Sequence, residues 1–233
     1  MKRFNQRSLP LLSVRLYNSK VFIVIFAVLS ICSCRHVEKK SEVKVAPGVA
    51  ESTIIIDGRS VKGWEITNFG PQGPVYLSGE KIILGCGDGC TGINWKGDFP
   101  AMDYEVNLEA MSVDGNDFFC GMTFPVANEP CTLIIGGWGG TTVGLSSING
   151  MDASENETTT LHSFEKNRWY TIRLKVTSLK IEAFIDSLEV VNFSKGNKRL
   201  SVRPEVELSR PFGITSWKTT AAIRNIKVNT ITK

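Results

Sequence analysis

Alternation of apolar and polar residues constrains this chain more than any other feature of its sequence. In residues 169–176, the side chains of Tyr170, Ile172, Leu174 and Val176 are apolar, and those between them are polar or charged. A period of two places all four on one face of a β-strand. Similar runs recur at roughly ten-residue intervals from residue 52 onwards, separated by Gly, Asn and Pro,. We therefore predict an all-β sandwich of two antiparallel sheets.

The same pattern predicts the other strands, and no segment of this region shows helical periodicity or a repeat of fixed length. Residues 180–186 and 188–193 flank a tight connection and are predicted to form a hairpin. The remaining predicted strands are residues 52–56, 81–84, 104–110, 118–124, 132–135, 142–145, 212–216 and 222–228.

The N-terminal segment is predicted to be an export signal. Five basic residues and no acidic residue precede position 34, and an apolar run at residues 21–31 is interrupted only by Ser30. Eleven residues are too short to span about 30 Å of hydrocarbon as a helix. Ile31-Cys32-Ser33-Cys34 resembles a bacterial lipobox, which implies lipidation of Cys34, with Cys32 as second choice. An ordinary cleaved signal peptide is the alternative.

These features predict three parts: a signal peptide (1–33), a lipid-anchored flexible tether (34–51) and a folded domain (52–233). The predicted location is the bacterial cell envelope, with the membrane as a partner through the lipid. Removing the five basic residues of the signal from the total leaves 22 basic against 23 acidic residues. A nearly neutral domain argues against nucleic acid as a partner.

Four further cysteines lie within the predicted domain. An even number of cysteines in an exported protein favours disulfides. Cys86 and Cys90 flank a short Gly-Asp-Gly loop, and Cys120 with Cys131 would join neighbouring strands. A four-cysteine zinc site is the alternative, although the second spacing does not repeat the first.

Three segments resemble the 3-keto-disaccharide hydrolase domain family. They are Asp57-Gly58-Arg59-Ser60-Val61-Lys62-Gly63-Trp64, the region from Asn167 to Phe193, and Pro211-Phe212-Gly213-Ile214 leading to Ile223-Arg224-Asn225-Ile226-Lys227-Val228. The resemblance implies a concanavalin A-like jelly roll, a 3-keto-disaccharide or related glycoside as substrate, and no cofactor. The chain differs at polar positions: Pro125 replaces the family's arginine, and Trp217 lies beside the position of its histidine.

Acidic residues in two places are candidates for catalysis. Glycoside cleavage ordinarily needs two carboxyl groups, and proton removal beside a 3-keto group needs a base. The polar loop 149–157 contains Asp152, Glu155 and Glu157, and Asp117 precedes a predicted strand. Acids at 103, 105 and 109 lie opposite an apolar strand face, so we predict a solvated surface there.

The candidate sugar-binding residues are Trp138, Trp217 and Asn149. Trp138 lies between two glycine pairs, where missing side chains leave room for a ligand near the backbone,. An indole face matches the apolar face of a pyranose ring. No metal site is predicted, because the sequence contains only two histidines,. The leading hypothesis is a glycoside-cleaving hydrolase; the alternatives are a non-catalytic carbohydrate-binding domain and an adhesive envelope domain.

Overall fold

The computed structural model describes residues 52–54 and 63–232. The predicted signal peptide, Cys32, Cys34 and the tether lie outside these residues, as does most of the first family-like segment. Within the described ranges, no helix is long and apolar enough to cross a membrane.

Two antiparallel sheets form the domain, which confirms the predicted fold class. Sheet A has the order β13-β12-β11-β6-β15-β4-β3, with β1 also paired to β15, and sheet B has the order β10-β9-β8-β7-β14-β5-β2. The strands are β1 (Ser52–Ile54), β2 (Trp64–Ile66), β3 (Val75–Ser78), β4 (Lys81–Leu84), β5 (Cys90–Trp95), β6 (Tyr104–Asp114), β7 (Cys120–Val126), β8 (Glu129–Gly136), β9 (Thr142–Ser146), β10 (Thr160–Leu161), β11 (Tyr170–Val176), β12 (Ile181–Ile185), β13 (Leu188–Phe193), β14 (Gly213–Trp217) and β15 (Thr220–Thr230).

The core fills the space between the sheets. The four alternating apolar residues of β11 are completely buried, as are their counterparts on β6, so the predicted alternation is confirmed. On the outer face of sheet A, Glu105 lies 3.5 Å from Arg173 and Glu109 lies 3.0 Å from Arg224. These acids therefore belong to a solvated, ion-paired surface, as predicted.

Two short elements interrupt the strands. α1 (Gly137–Gly140) is a single turn in which Trp138 and Gly139 have positive φ. A 3-10 helix (Pro204–Ser209) precedes β14. We call residues 199–210, which include this helix, the strap. The strap begins beside β9, where the backbone of Asn149 bonds to that of Arg199 (2.8 Å) and Ser201 donates to the carbonyl of Ser147 (3.1 Å).

The disulfide prediction is wrong for this structure, because Cys86, Cys90, Cys120 and Cys131 are all free thiols. On the paired strands β7 and β8, Cys120 lies opposite Ile135, whereas Cys131 lies opposite Phe124. The register therefore offsets the two cysteines by four residues, about 13 Å along the strands, whereas a disulfide needs Cα atoms about 4.4–6.8 Å apart. Burial raises the pKa of both thiols to about 12.

In the other proposed pair, Cys86 is exposed and Cys90 is buried. The Cys86 thiol lies 3.6 Å from the carbonyl oxygen of Gly87, to which it donates. Burial, with a smaller contribution from the charge of Glu205, raises the pKa of Cys90 to about 12. The short loop between these cysteines is held by neighbouring segments, since Asp88 donates its backbone N–H to the carbonyl of Pro71 (3.0 Å) and the carbonyl of Gly89 accepts the backbone N–H of Lys218 (3.1 Å).

Candidate functional site

The outer face of sheet B forms the floor of the candidate site. Strand register places two rows of residues, all but Ile134 small or polar, across β9, β8, β7, β14 and β5. The first row is Ser146, Thr132, Thr123, Gly213 and Asn94, and the second is Gly144, Ile134, Gly121, Thr215 and Gly92. The intervening row, which includes Leu133 and Ile214, points into the core. Because side chains alternate along each strand, the same strands present an apolar face to the core and a mainly small and polar face on the outside.

A cavity of about 180 Å³ lies on this floor. Its walls come from the β6–β7 loop, the α1 turn, the end of β14 and the strap. The lining residues are Asp117, Phe118, Thr132, Ile134, Trp138, Ser146, Arg203, Glu205, Val206 and Trp217. The sequence-predicted residues Asp117, Trp138 and Trp217 therefore lie around one cleft.

Trp138 projects from the glycine-rich turn at the edge of the cavity. Its φ of 47° is in the left-handed region, and the preceding Gly136 has a φ of 82°. Non-glycine residues adopt this conformation at a cost in free energy, which the surrounding structure must offset. The consequence is an indole side chain that is 42% exposed rather than packed in the core.

Asp117 lies in the β6–β7 loop beside this turn. Its carboxylate accepts the backbone N–H of Phe118 at 2.7 Å, and its own N–H donates to the hydroxyl of Thr219 at 3.1 Å. Burial raises the pKa of the Asp117 carboxyl above its usual value, partly opposed by backbone hydrogen bonds from Phe118, Trp138 and Gly139. A carboxyl group with a raised pKa in a cleft is a candidate for proton transfer.

Arg203 and Glu205 are the charged residues that the strap contributes to the cavity lining. The Arg203 guanidinium donates to both oxygens of Glu205, at 2.9 Å and 3.3 Å, and also to Asp152. The hydrogen bond from Arg203 is the main reason that the pKa of Glu205 is lowered, against the opposing effect of burial. The cavity therefore has one carboxyl group whose pKa is raised and one whose pKa is lowered.

The loop 149–157 supplies no residue to the cavity lining. Asp152 lies behind Arg203 and also accepts the hydroxyl of Ser147 at 2.9 Å. Glu155 is exposed, and Glu157 lies 2.5 Å from Lys198 in a separate surface depression. The Asn149 side chain accepts the backbone N–H of Arg199 at 2.9 Å, which places it in the anchor of the strap.

Sequence reasoning missed Arg203, Glu205 and Val206. They occur in a segment without alternation, and they reach the cavity only because the strap crosses sheet B. The sequence Arg203-Pro204-Glu205 offered one signal, because proline at the first position of a helix marks a helical start,. Among the described residues, no three His, Cys, Asp or Glu side chains are grouped so that they would hold a metal ion.

Comparison with known proteins shows the fold. No protein-family model matches this chain, and no curated protein matches it significantly. Among solved structures, the chain is similar to Crh5 transglycosylase in complex with NAG, with 12% identity, a TM-score of 0.55 and coverage of 80% of this chain and 86% of that one.

Two further structures show the same architecture. The carbohydrate recognition domain of Emp46p, solved as a point mutant, is 15% identical, with a TM-score of 0.52 and coverage of 80% of this chain and 96% of that one. A candidate glycosyl hydrolase from Parabacteroides distasonis ATCC 8503 is 11% identical, with a TM-score of 0.51 and coverage of 78% and 94%. At these identities the likeness establishes a shared jelly-roll sandwich.

Proposed function

We propose that the domain binds a carbohydrate in the cleft between Trp138 and Trp217. The observation that carries this proposal is the joint presence of two tryptophans and several hydrogen-bonding groups around one small cavity. Sugars combine apolar ring faces with hydroxyl groups, so they need both kinds of contact. Two of the similar structures, a carbohydrate recognition domain and a complex with NAG, support this choice of ligand class.

The test is a glycan array followed by calorimetry with the sugars that bind. We expect Trp138→Ala to weaken binding by at least about tenfold, because it removes a stacking surface at the cavity edge. Trp169→Ala is the matched control, since Trp169 packs under Arg224 on sheet A. Unchanged affinity in Trp138→Ala, or equal losses in both folded variants, would contradict the proposal.

The second candidate function is hydrolysis of a glycosidic bond in a 3-keto-disaccharide or related glycoside. It is favoured by the presence of Asp117 and Glu205, whose pKa values are shifted in opposite directions, in the lining of one cavity. In such a reaction Asp117 donates its proton to the departing glycosidic oxygen. Glu205, held ionised by Arg203, accepts a proton from the attacking water or attacks the sugar directly. A different division of roles applies if the 3-keto group permits proton removal from the neighbouring carbon.

Incubation with 3-keto-trehalose, followed by measurement of released glucose, tests catalysis separately from binding. We expect Asp117→Asn to reduce kcat by about 10²–10⁴-fold while sugar binding remains within about threefold of wild type. Glu155→Gln, on the exposed loop, is the control and should retain full activity. Saturable binding without sugar release by the wild-type protein would assign the domain to binding alone.

A further inference from the structure

We infer that the cleft receives a single terminal sugar of a glycan and excludes the interior of a chain. This inference rests on the proposed carbohydrate binding and concerns how the ligand enters. It is based on which of the ten floor positions of sheet B line the cavity and which are covered by other parts of the chain. Of these, only Thr132, Ile134 and Ser146 line the cavity.

On the β9 side, the loop 149–158 covers the floor. A side-chain carbon placed on Gly144 would come within 3.1 Å of the carbonyl oxygens of Ala153 and Thr158. Thr158 also accepts the backbone N–H of Leu145 at 2.9 Å, and Asn156 donates to the carbonyl of Leu145 at 2.7 Å. Because these contacts are direct and the loop atoms are buried, no sugar ring fits between the loop and β9.

On the β14 side, the strap covers the floor. A side-chain carbon on Gly213 would lie 2.6 Å from the carbonyl oxygen of Ser209 and 2.8 Å from the Asn94 side chain. Asn94 in turn donates to the carbonyl of Leu208. Thr123 and Thr215 are polar, yet both are completely inaccessible to solvent. The strap thus covers polar floor residues of the kind that typically bind a ligand.

The second row of the floor is covered at Gly121 by the aromatic ring of Phe118. A side-chain carbon on Gly121 would lie 2.9 Å from the ring of Phe118, and the hydroxyl of Thr215 donates to the carbonyl of Gly121 at 3.2 Å. The part of the floor that lines the cavity is therefore limited to Thr132, Ile134 and Ser146, with Phe118 on one side and the strap on the other, and these three residues are themselves at most 3% exposed.

The two covering segments are also joined to each other. Arg203 on the strap pairs with Asp152 on the loop, so an ion pair bridges the outer face of sheet B beside the cavity. The paired backbones of Ser147 and Ser201 (2.6 Å and 3.1 Å) close the same end. A polysaccharide threaded across this face would have to displace the bridge, whereas a chain end enters the cavity without moving it.

Binding of linear oligomers of one to six units tests this inference. The probes are α- and β-linked glucose and N-acetylglucosamine series, attached to an array through either end. We expect affinity to change by less than about threefold beyond the second unit, and binding to disappear when attachment blocks the recognised end.

The second measurement uses a long polymer of whichever glucose or N-acetylglucosamine series binds. At constant polymer mass, the amount of bound protein should increase in proportion to the number of chain ends after partial cleavage. Affinity that rises with each added unit, or bound protein that is independent of chain ends, would overturn end recognition and leave carbohydrate binding intact. Absence of binding to any glycan would overturn both proposals together.

Discussion

At the scale of single residues, neighbours shift the pKa of similar carboxyl groups in opposite directions. Asp117 is held in a half-buried position and its pKa is raised, whereas Glu109 on sheet A has a lowered pKa. The Glu109 shift arises chiefly from the hydrogen bond of Arg224, whose guanidinium also lies 4.0 Å above the Trp169 ring. The same kind of side chain thus forms an ion pair on the surface of one sheet and lies half-buried in the cleft beside the other.

Stability should depend on pH through Glu109. A carboxyl group with a lowered pKa in the folded state stabilises the fold above its usual pKa of about 4.3, and this contribution disappears as pH falls through the lowered value. We expect Glu109→Gln to reduce the free energy of unfolding by about 1 kcal/mol at neutral pH, and the difference to shrink in acid. Urea unfolding at several pH values measures this, with Glu155→Gln as control. A difference that is independent of pH would contradict the assignment.

The sequence predicted individual site residues unevenly. The sequence indicates Trp138 as a candidate because it lies between two glycine pairs and outside the alternating strand pattern. The structure places it at the cavity edge. No local sequence pattern identifies Arg203 and Glu205, because their position depends on contacts with residues distant in sequence, such as Asp152. The acids of the loop 149–157 attracted attention by their density, but most of them serve ion pairs or solvent.

At the scale of elements, strands with strict alternation were predictable and short irregular ones were not. β4 (Lys81–Leu84) and β13 (Leu188–Phe193) match their predicted limits. β5 (Cys90–Trp95) was missed because Gly92 interrupts its run of β-forming residues and Cys90 suggested a disulfide loop. The strap was missed because its position depends on tertiary contacts and its local sequence has no period.

Contact between the strap and β14 should be sensitive to a single methyl group. We expect Gly213→Ala to destabilise the domain by about 1–3 kcal/mol, because the added carbon would meet the Ser209 carbonyl and Asn94,. Gly89→Ala is the matched control, since its added carbon meets Pro71 at an ordinary 3.5 Å. Thermal unfolding of both variants measures the effect. Equal melting temperatures would show that the strap is loosely packed on the sheet.

At the scale of the whole molecule, alternation determined the sandwich because it specifies which face of each strand is buried.

The N-terminal prediction rests on sequence alone and has its own test. In the full chain expressed in bacteria, we expect Cys34→Ala to move the protein from the membrane fraction to the soluble fraction, while Cys32→Ala leaves it membrane-bound. The opposite result would assign the lipid to Cys32. Soluble protein in every form would indicate an ordinary cleaved signal.

The position of β15 has a consequence for the order of folding. β15 (Thr220–Thr230) is the last strand of the domain, yet it lies between β6 and β4 and also pairs with β1. Without it, sheet A falls into three separate parts, β13-β12-β11-β6, β4-β3 and the single strand β1. The ribosome delivers this strand last, so the sheet is completed only after nearly the whole domain has been synthesised. A nascent chain in which β15 has not yet paired therefore exposes the edges of β6 and β4, and unpaired edges of this kind favour aggregation,.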